Sequence, residues 1–146
     1  MSIHVIGSKT QEKRLATLVG RIFHILQIPD AGIDIYCVSD ARMRTLYRGT
    51  AGKDKVTNVL SFPEPKGFID PEGGVHYLGE LYLASAKIRN EARAMKISYH
   101  EWETKLLVHG ILHLLGYDHI HDRDAARMEK KEKEILINIQ GTPTNN

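Results

Sequence analysis

The chain has 146 residues, of which 42% are hydrophobic and 26% are charged, a composition typical of a single globular domain with a core of its own. Its one cysteine, Cys37, excludes an internal disulfide, and we expect it to act as a small buried hydrophobe and not as a nucleophile. The net charge of +2 does not by itself indicate a nucleic-acid-binding protein. No apolar run reaches the roughly 18 residues of a membrane span, and no basic and then apolar leader precedes the first elements, so we expect a cytoplasmic protein.

The hydrophobic pattern predicts strands and helices that alternate along the chain. A capping box at Ser8 and Gln11 begins a long amphipathic helix, which Pro29 and Gly32 are expected to end. Further helices are predicted to begin at Asp40, at Ser85, at Ser98 and at Asp122 or Asp124, and strands to span 3–6, 33–38, 56–62 and 78–84. We therefore predict one α+β (α/β-like) domain over 1–140, a mixed sheet of about four strands packed with helices, and a frayed tail over 141–146.

Two further segments have predicted roles. Residues 63–77 are rich in proline and glycine, and such a long connection is expected to form the rim of a substrate cleft, with its histidine, His76, exposed.

The last helix is expected to turn Met128 and Ile135 inward. Its exposed face is expected to pair Glu129 with Lys133 and Lys130 with Glu134, four residues apart.

Residues 108–119 carry the strongest chemical signal, Val-His-Gly-Ile-Leu-His-Leu-Leu-Gly-Tyr-Asp-His. His109 and His113 are four residues apart, so on a helix near the centre of the fold their imidazoles lie on one face. Gly116 offers the positive φ that ends a helix, and the chain can then bring His119 back towards the pair. Three nitrogen ligands with an open fourth position are typical of catalytic zinc, so we predict one Zn²⁺ per chain.

The spacing H-x-x-x-H-x-x-G-x-x-H is similar to the zinc signature of the metzincin peptidases. Gly110, however, stands where those enzymes carry the glutamate that acts as general base. A peptidase would need another carboxylate, such as Glu80, to reach the water on the metal. The residues alone therefore indicate a metal-dependent hydrolase, with a cationic site that suits an anionic substrate.

With Gly110 in place, the segment HGILHLLGYDH resembles the signature of the YbeY family of rRNA-maturation endoribonucleases. Upstream, Tyr47-Arg48, the stretch TNVLSFP at 57–63 and Gly-Glu-Leu at 79–81 are also similar to that family, and the resemblance covers about 34–137. The family often has aspartate where Glu80 stands. The resemblance implies a zinc-dependent single-strand endoribonuclease that matures the 3′ end of small-subunit rRNA and serves ribosome biogenesis and quality control.

The resemblance also assigns roles to residues. Arg48 falls where the family has an arginine near the zinc, and its guanidinium could bind a phosphate bidentately, so it is the predicted catalytic residue. Apart from the resemblance, Asp118 and His121 are close enough in sequence to the predicted zinc ligands to be candidates for supporting or proton-transfer groups. The expected partners are rRNA and the small ribosomal subunit, with no membrane and no dinucleotide cofactor. Two alternatives stay open: a metzincin-like peptidase, and a non-catalytic RNA-binding ribosome-assembly factor with a structural zinc.

Overall fold

The computed structural model describes residues 2–51, 57–64, 77–117 and 121–141. Strands and helices alternate in the first half of the chain, and three helices follow the last strand. The elements are β1 (Ser2–Ile6), α1 (Lys9–Ile25), β2 (Gly32–Val38), α2 (Asp40–Ala51), β3 (Val59–Pro63), β4 (Tyr77–Ala84), α3 (Ser85–Met95), α4 (Tyr99–Leu114) and α5 (Asp122–Gly141).

The strands form one four-stranded sheet in the order β1-β2-β4-β3. The pairs β1·β2 and β2·β4 are parallel, whereas β3 runs antiparallel to β4. Alternate residues such as Ile33, Ile35, Leu81 and Leu83 point into a core shared with the helices, and all four are fully buried. The predicted α+β fold with a mixed sheet of four strands is confirmed. None of the described helices is long and apolar enough to cross a membrane.

The histidine helix, α4, lies near the centre of the fold, as predicted. It packs against β3 and β4 on one side and against α3 and α5 on the others. Within 106–114, every residue is buried except His109 and His113, which are partly exposed. The apolar side chains of this helix therefore form the core, while its two histidines face a cleft.

Side-chain hydrogen bonds mark the starts of several helices, and some of the capping residues differ from those predicted. The Ser8 and Gln11 capping box is present at α1, and the Ser98 hydroxyl accepts the Glu101 N–H at 3.0 Å at the start of α4. The predicted Asp40 cap is wrong, because the Ser39 hydroxyl accepts the Arg42 N–H and Asp40 is already helical. The structure also contradicts two further capping predictions and the predicted end of α1.

Ser85 does not cap α3: it is the first helical residue, and its hydroxyl instead accepts a hydrogen bond from the Gln11 amide at 3.0 Å. Asp122 and Asp124 both lie in the first turn of α5, where their negative charge is favourable beside the helix dipole. Helix α1 already ends at Ile25, and not at Pro29 and Gly32. Gln27 adopts a left-handed φ of 60° there, and Gly32 begins β2.

Other boundaries and pairs shift slightly. Strand β3 spans Val59–Pro63 and not 56–62. On α5, Lys133 lies 3.3 Å from Glu129 as predicted, but Glu134 pairs with Lys131 at 3.5 Å and not with Lys130. Helix α5 continues through Gly141, and the rest of the predicted tail, like most of the 63–77 loop, lies outside the described residues.

A buried ion pair fastens α1 to α4. Glu103 is 1% exposed, and Arg14 donates to both of its carboxylate oxygens at 2.9 Å. A bidentate pair of this kind fixes the relative position of two helices, and removal of one partner leaves the other charge uncompensated. The pair therefore helps to hold the histidine helix in place.

Gly110 marks the closest approach of α4 to the sheet. A Cβ built on Gly110 would overlap the buried Leu81 side chain of β4 and lie 3.4 Å from the Ser61 hydroxyl of β3. That hydroxyl donates to the Gly110 carbonyl oxygen at 3.3 Å. The absence of a side chain at Gly110 is thus a packing requirement of this helix.

We predict that Gly110→Ala lowers the free energy of unfolding even though alanine favours helices. The helix propensity of alanine contributes up to about 1 kcal/mol, whereas overpacking a core costs about 1–3 kcal/mol. Gly49→Ala is the matched control, because a Cβ at Gly49 of α2 meets nothing within 4 Å. Urea unfolding should show Gly49→Ala to be at least as stable as the parent protein. An equal gain in both variants would contradict the packing argument.

Candidate metal centre and cleft

The two histidines of α4 bring their ring nitrogens together. His109 Nε2 lies 3.0 Å from His113 Nε2, and the rings are nearly perpendicular, with centroids 4.5 Å apart and an interplanar angle of 79°. The spacing of four residues places one ring a helical turn above the other. The predicted convergence of these two side chains is therefore present in the structure.

Glu132 of α5 completes a chain of contacts behind the pair. Its Oε1 lies 3.0 Å from His109 Nδ1, and both side chains are about one third exposed or less. A carboxylate only accepts hydrogen bonds, so in a neutral His109 ring this contact favours the tautomer with its proton on Nδ1 and a lone pair on Nε2 towards His113. Glu132 therefore selects the tautomer in which His109 can bind a cation through Nε2.

These residues fit a zinc ion. Two ring nitrogens 3.0 Å apart can both lie about 2.0–2.1 Å from one ion, the usual Zn–N distance. Without a proton or a cation between them, two lone pairs would repel at this distance. The third predicted ligand, His119, lies outside the described residues, as do Asp118 and His76. In the part of the chain that the structure describes, no three His, Cys, Asp or Glu side chains form a metal-binding group.

Sequence reasoning missed Glu132, although a signal for it exists. Met128 and Ile135 of α5 are buried, and Glu132 lies four residues after one and three before the other. Positions at this spacing share a helix face, so Glu132 stands on the inward stripe and not on the solvated one. A carboxylate on an apolar stripe usually has a buried or partly buried partner, which here is His109.

A cleft of about 880 Å³ opens over the pair. One wall is the stretch from Thr57 to Pro63 that includes β3, and the opposite wall is α5. The floor is the exposed stripe of α4. The lining residues on the two helices are Trp102, Lys105, Leu106, His109, His113, Glu129, Glu132, Lys133 and Leu136. This TNVLSFP stretch, which resembles the family pattern, is thus a wall of the cleft.

Glu80 lies on the far face of the sheet. Leu81 packs beneath Gly110 of α4, and successive strand residues point to opposite faces, so Glu80 points away from the histidine helix. Its carboxylate instead accepts the Tyr82 hydroxyl at 3.3 Å. Gly110 has no room for a glutamate without displacement of Leu81. Neither position, therefore, supplies the general base that a peptidase would need.

Arg48 and His121 occupy exposed positions. Arg48 lies in the last turn of α2, and it is not among the described residues that line the cleft. His121 directly precedes α5, and its carbonyl oxygen accepts the Ala125 N–H at 2.8 Å. The catalytic role of Arg48 stays a prediction.

Cys37 is half-buried on β2 and packs against the core. Burial, followed by the nearby Glu103 carboxylate, raises the pKa of its thiol to about 11. The group is therefore a protonated thiol near neutral pH and a poor nucleophile, in agreement with the prediction.

Comparisons with known proteins give the family and the fold of this chain. The model of the family described as "Endoribonuclease YbeY" matches residues 4–140. A solution structure of TM1509 from Thermotoga maritima, at 27% identity, superposes with a TM-score of 0.69 over 95% of this chain and 89% of that one.

Curated relatives carry the same family name. Proteins named Endoribonuclease YbeY from Chelativorans sp. (strain BNC1), Nitrobacter hamburgensis and Anaeromyxobacter sp. (strain Fw109-5) are 41%, 39% and 38% identical. The matches cover 75%, 75% and 87% of this chain, and 66%, 59% and 64% of those proteins. The chain thus spans slightly less than two thirds of the length of these relatives. The match over 4–140 nevertheless covers nearly the whole chain, which therefore belongs to the YbeY family.

Proposed function

We propose that this protein is a zinc-dependent endoribonuclease that cleaves single-stranded RNA during maturation of the 3′ end of small-subunit rRNA. The observation that supports it most is a pair of facing imidazoles at the floor of an open cleft, in a chain whose family and curated relatives are named for endoribonuclease activity. The small ribosomal subunit is the proposed partner.

The metal site would use three histidines. His109 and His113 supply two nitrogens from one face of α4, and His119 would supply the third. A zinc ion bound by these residues would supply Lewis-acid chemistry beside the scissile phosphate, where it would polarise a phosphate oxygen or make a water more acidic. Glu132 holds His109 in the binding tautomer, and the walls of the cleft orient the strand.

An RNA substrate fits the cleft better than a peptide does. Phosphodiesters are anionic, and three neutral imidazoles leave the charge of a bound zinc uncompensated. The peptidase alternative lacks its base, because Gly110 packs on Leu81 and Glu80 faces away. The alternative of a structural zinc is disfavoured because structural sites are closed by four protein ligands, usually including cysteine, and Cys37 lies on β2 and is not among the described residues that line the cleft.

The experiment that separates these functions uses protein loaded with one equivalent of zinc. Single-stranded RNA and casein are supplied separately, with metal-stripped protein as the control. Cleavage of RNA alone, lost on stripping and restored by zinc, is expected. Casein hydrolysis would favour the peptidase, and zinc-independent RNA binding without cleavage would favour the assembly factor.

The third ligand can be tested by metal binding. We expect His119→Ala and His113→Ala each to lower zinc affinity strongly, since each removes one of three nitrogen ligands. His100→Ala is the control, because His100 lies at the other end of α4, in the first turn. Competition with a chromophoric chelator gives the dissociation constants. Full affinity in His119→Ala would remove His119 from the ligand set.

Glu132 is expected to contribute to affinity without touching the metal. Glu132→Ala should weaken zinc binding by about 10- to 100-fold, the usual loss when the partner of a ligand histidine is removed. Glu132→Gln should lose less, because its amide oxygen can still accept the His109 Nδ1–H. Glu129→Ala, on an exposed neighbour paired with Lys133, is the matched control. Equal losses at Glu129 and Glu132 would indicate a general charge effect.

Arg48 is proposed to stabilise charge that develops on the phosphoryl group. Arg48→Ala should then lower RNA cleavage by about 10²-fold or more, while zinc occupancy and Tm stay nearly unchanged. Arg48→Lys should restore only part of the rate, since an ammonium cannot donate bidentately. Arg44→Ala, one turn away on α2, is the control. A normal single-turnover rate at saturating Arg48→Ala enzyme would remove Arg48 from the catalytic residues.

A further inference from the structure

Trp102 lies on the floor of the cleft, two turns before His109. It is the single tryptophan of the chain, and among the described residues that line the cleft no other Phe, Tyr or Trp occurs. Seven residues at a rise of 1.5 Å place it about 10 Å along α4 from His109, on the same face. The histidine stripe therefore continues into an aromatic side chain at the end of the cleft away from His113.

A hydrogen-bond network fixes the indole. Its Nε1–H donates to Glu91 Oε1 at 3.0 Å, and the Asn58 amide donates to the same oxygen at 3.0 Å. Asn58 belongs to the TNVLSFP wall, and its carbonyl oxygen accepts the Ala84 N–H at 3.0 Å. The indole N–H is thus satisfied inside the protein, and the ring is held before any ligand arrives. A preorganised aromatic side chain loses little entropy on binding.

The charged side chains of the cleft balance one another. Lys133 lies 3.3 Å from Glu129, and Lys105 lies 3.8 Å from Glu101. Glu132 faces the His109 ring. The two described lysines that line the cleft, Lys105 and Lys133, therefore have acidic neighbours that reduce their attraction for phosphate. A strand in this cleft needs a source of affinity besides the lysines and the metal, and base stacking on an aromatic ring is such a source, worth a factor of about five or more per base.

From these contacts we infer that Trp102 forms a stacking subsite for one unpaired nucleobase of the RNA strand whose phosphate lies at the histidine pair. The inference rests on the proposed function and adds a position of substrate contact to it. A stacked strand rises about 3.4 Å per nucleotide, so a distance of about 10 Å places the stacked base about three nucleotides from the cleaved bond. Because every base has a π-face, the subsite requires an unpaired base and not a particular sequence.

Binding is measured first on the unmodified protein, through the fluorescence of its single tryptophan. A short single-stranded RNA that carries a non-cleavable linkage is titrated in, and stacking is expected to quench the emission. The same strand with one abasic nucleotide is then moved along the register. A strand whose abasic nucleotide lies about three nucleotides to one side of the non-cleavable bond should bind at least about fivefold more weakly and quench the emission less. A strand with the abasic nucleotide at the same distance on the other side should bind nearly as well as the intact strand.

Trp102→Leu then tests whether the base and the ring act together. We expect this variant to raise KM for intact RNA at least about fivefold with a smaller change in kcat. The abasic strand already lacks the stacked base, so it should bind this variant as tightly as it binds the unmodified protein. Trp102→Phe should recover part of the affinity, because it retains a ring. Thermal unfolding of each variant shows whether a loss of activity reflects a loss of fold, and the experiment on the unmodified protein does not depend on either variant.

The outcomes distinguish the subsite from the function itself. RNA that is cleaved normally but gives no quenching, together with equal binding at every abasic position, would overturn the subsite and leave the endoribonuclease proposal standing. If the abasic site and Trp102→Leu each lowered the affinity by the same factor, whether or not the other change was present, Trp102 would likewise be shown only to support the packing. RNA that is neither bound nor cleaved by zinc-loaded protein would overturn the proposed function.

Discussion

The close packing of α4 on the sheet is the constraint on which the site depends. Within residues 106–114 the helix is buried except at His109 and His113, and both of these imidazoles face the cleft. Gly110 permits the contact because it brings no side chain against Leu81. The same feature that lets the helix approach the sheet thereby excludes a glutamate beside the first histidine. Packing and chemistry are linked through one residue, because the contact with Leu81 leaves no room for the general base that a metzincin-like peptidase carries at this position.

Helix α5 fixes the orientation of the His109 ring, on which the site also depends. Met128 and Ile135 anchor it in the core, and Glu132 between them reaches Nδ1 of His109. A histidine held by a carboxylate presents the opposite nitrogen as a lone pair, so the metal-binding tautomer is set before any ion is bound. On the other side, the Asn58 and Glu91 contacts hold the wall and Trp102. The cleft is therefore assembled from separate parts of the chain around one central helix.

Local patterns predicted much of this arrangement. The alternation of apolar residues indicated the strands, and the spacing of His109 and His113 placed both imidazoles on one face, because each depends on a period that the sequence displays directly. Ser85 and Asp40 were assigned as caps wrongly, since a competing partner decides a cap: Gln11 uses the Ser85 hydroxyl, and Ser39 precedes Asp40. The contact of Glu132 with His109 joins residues 23 positions apart, and only the packing of α5 on α4 brings them together. The role of Arg48 likewise depends on three-dimensional relations that a linear pattern does not contain.

The central claim is that His109, His113 and His119 hold one zinc ion with an open coordination position above the cleft. Anomalous diffraction at the zinc absorption edge, on crystals of zinc-loaded protein, tests it most directly. The account predicts one peak about 2.0–2.1 Å from the Nε2 atoms of His109 and His113, a third nitrogen from His119, and a solvent ligand in the remaining position. A peak at another place, or an ion closed by four protein ligands, would contradict the account.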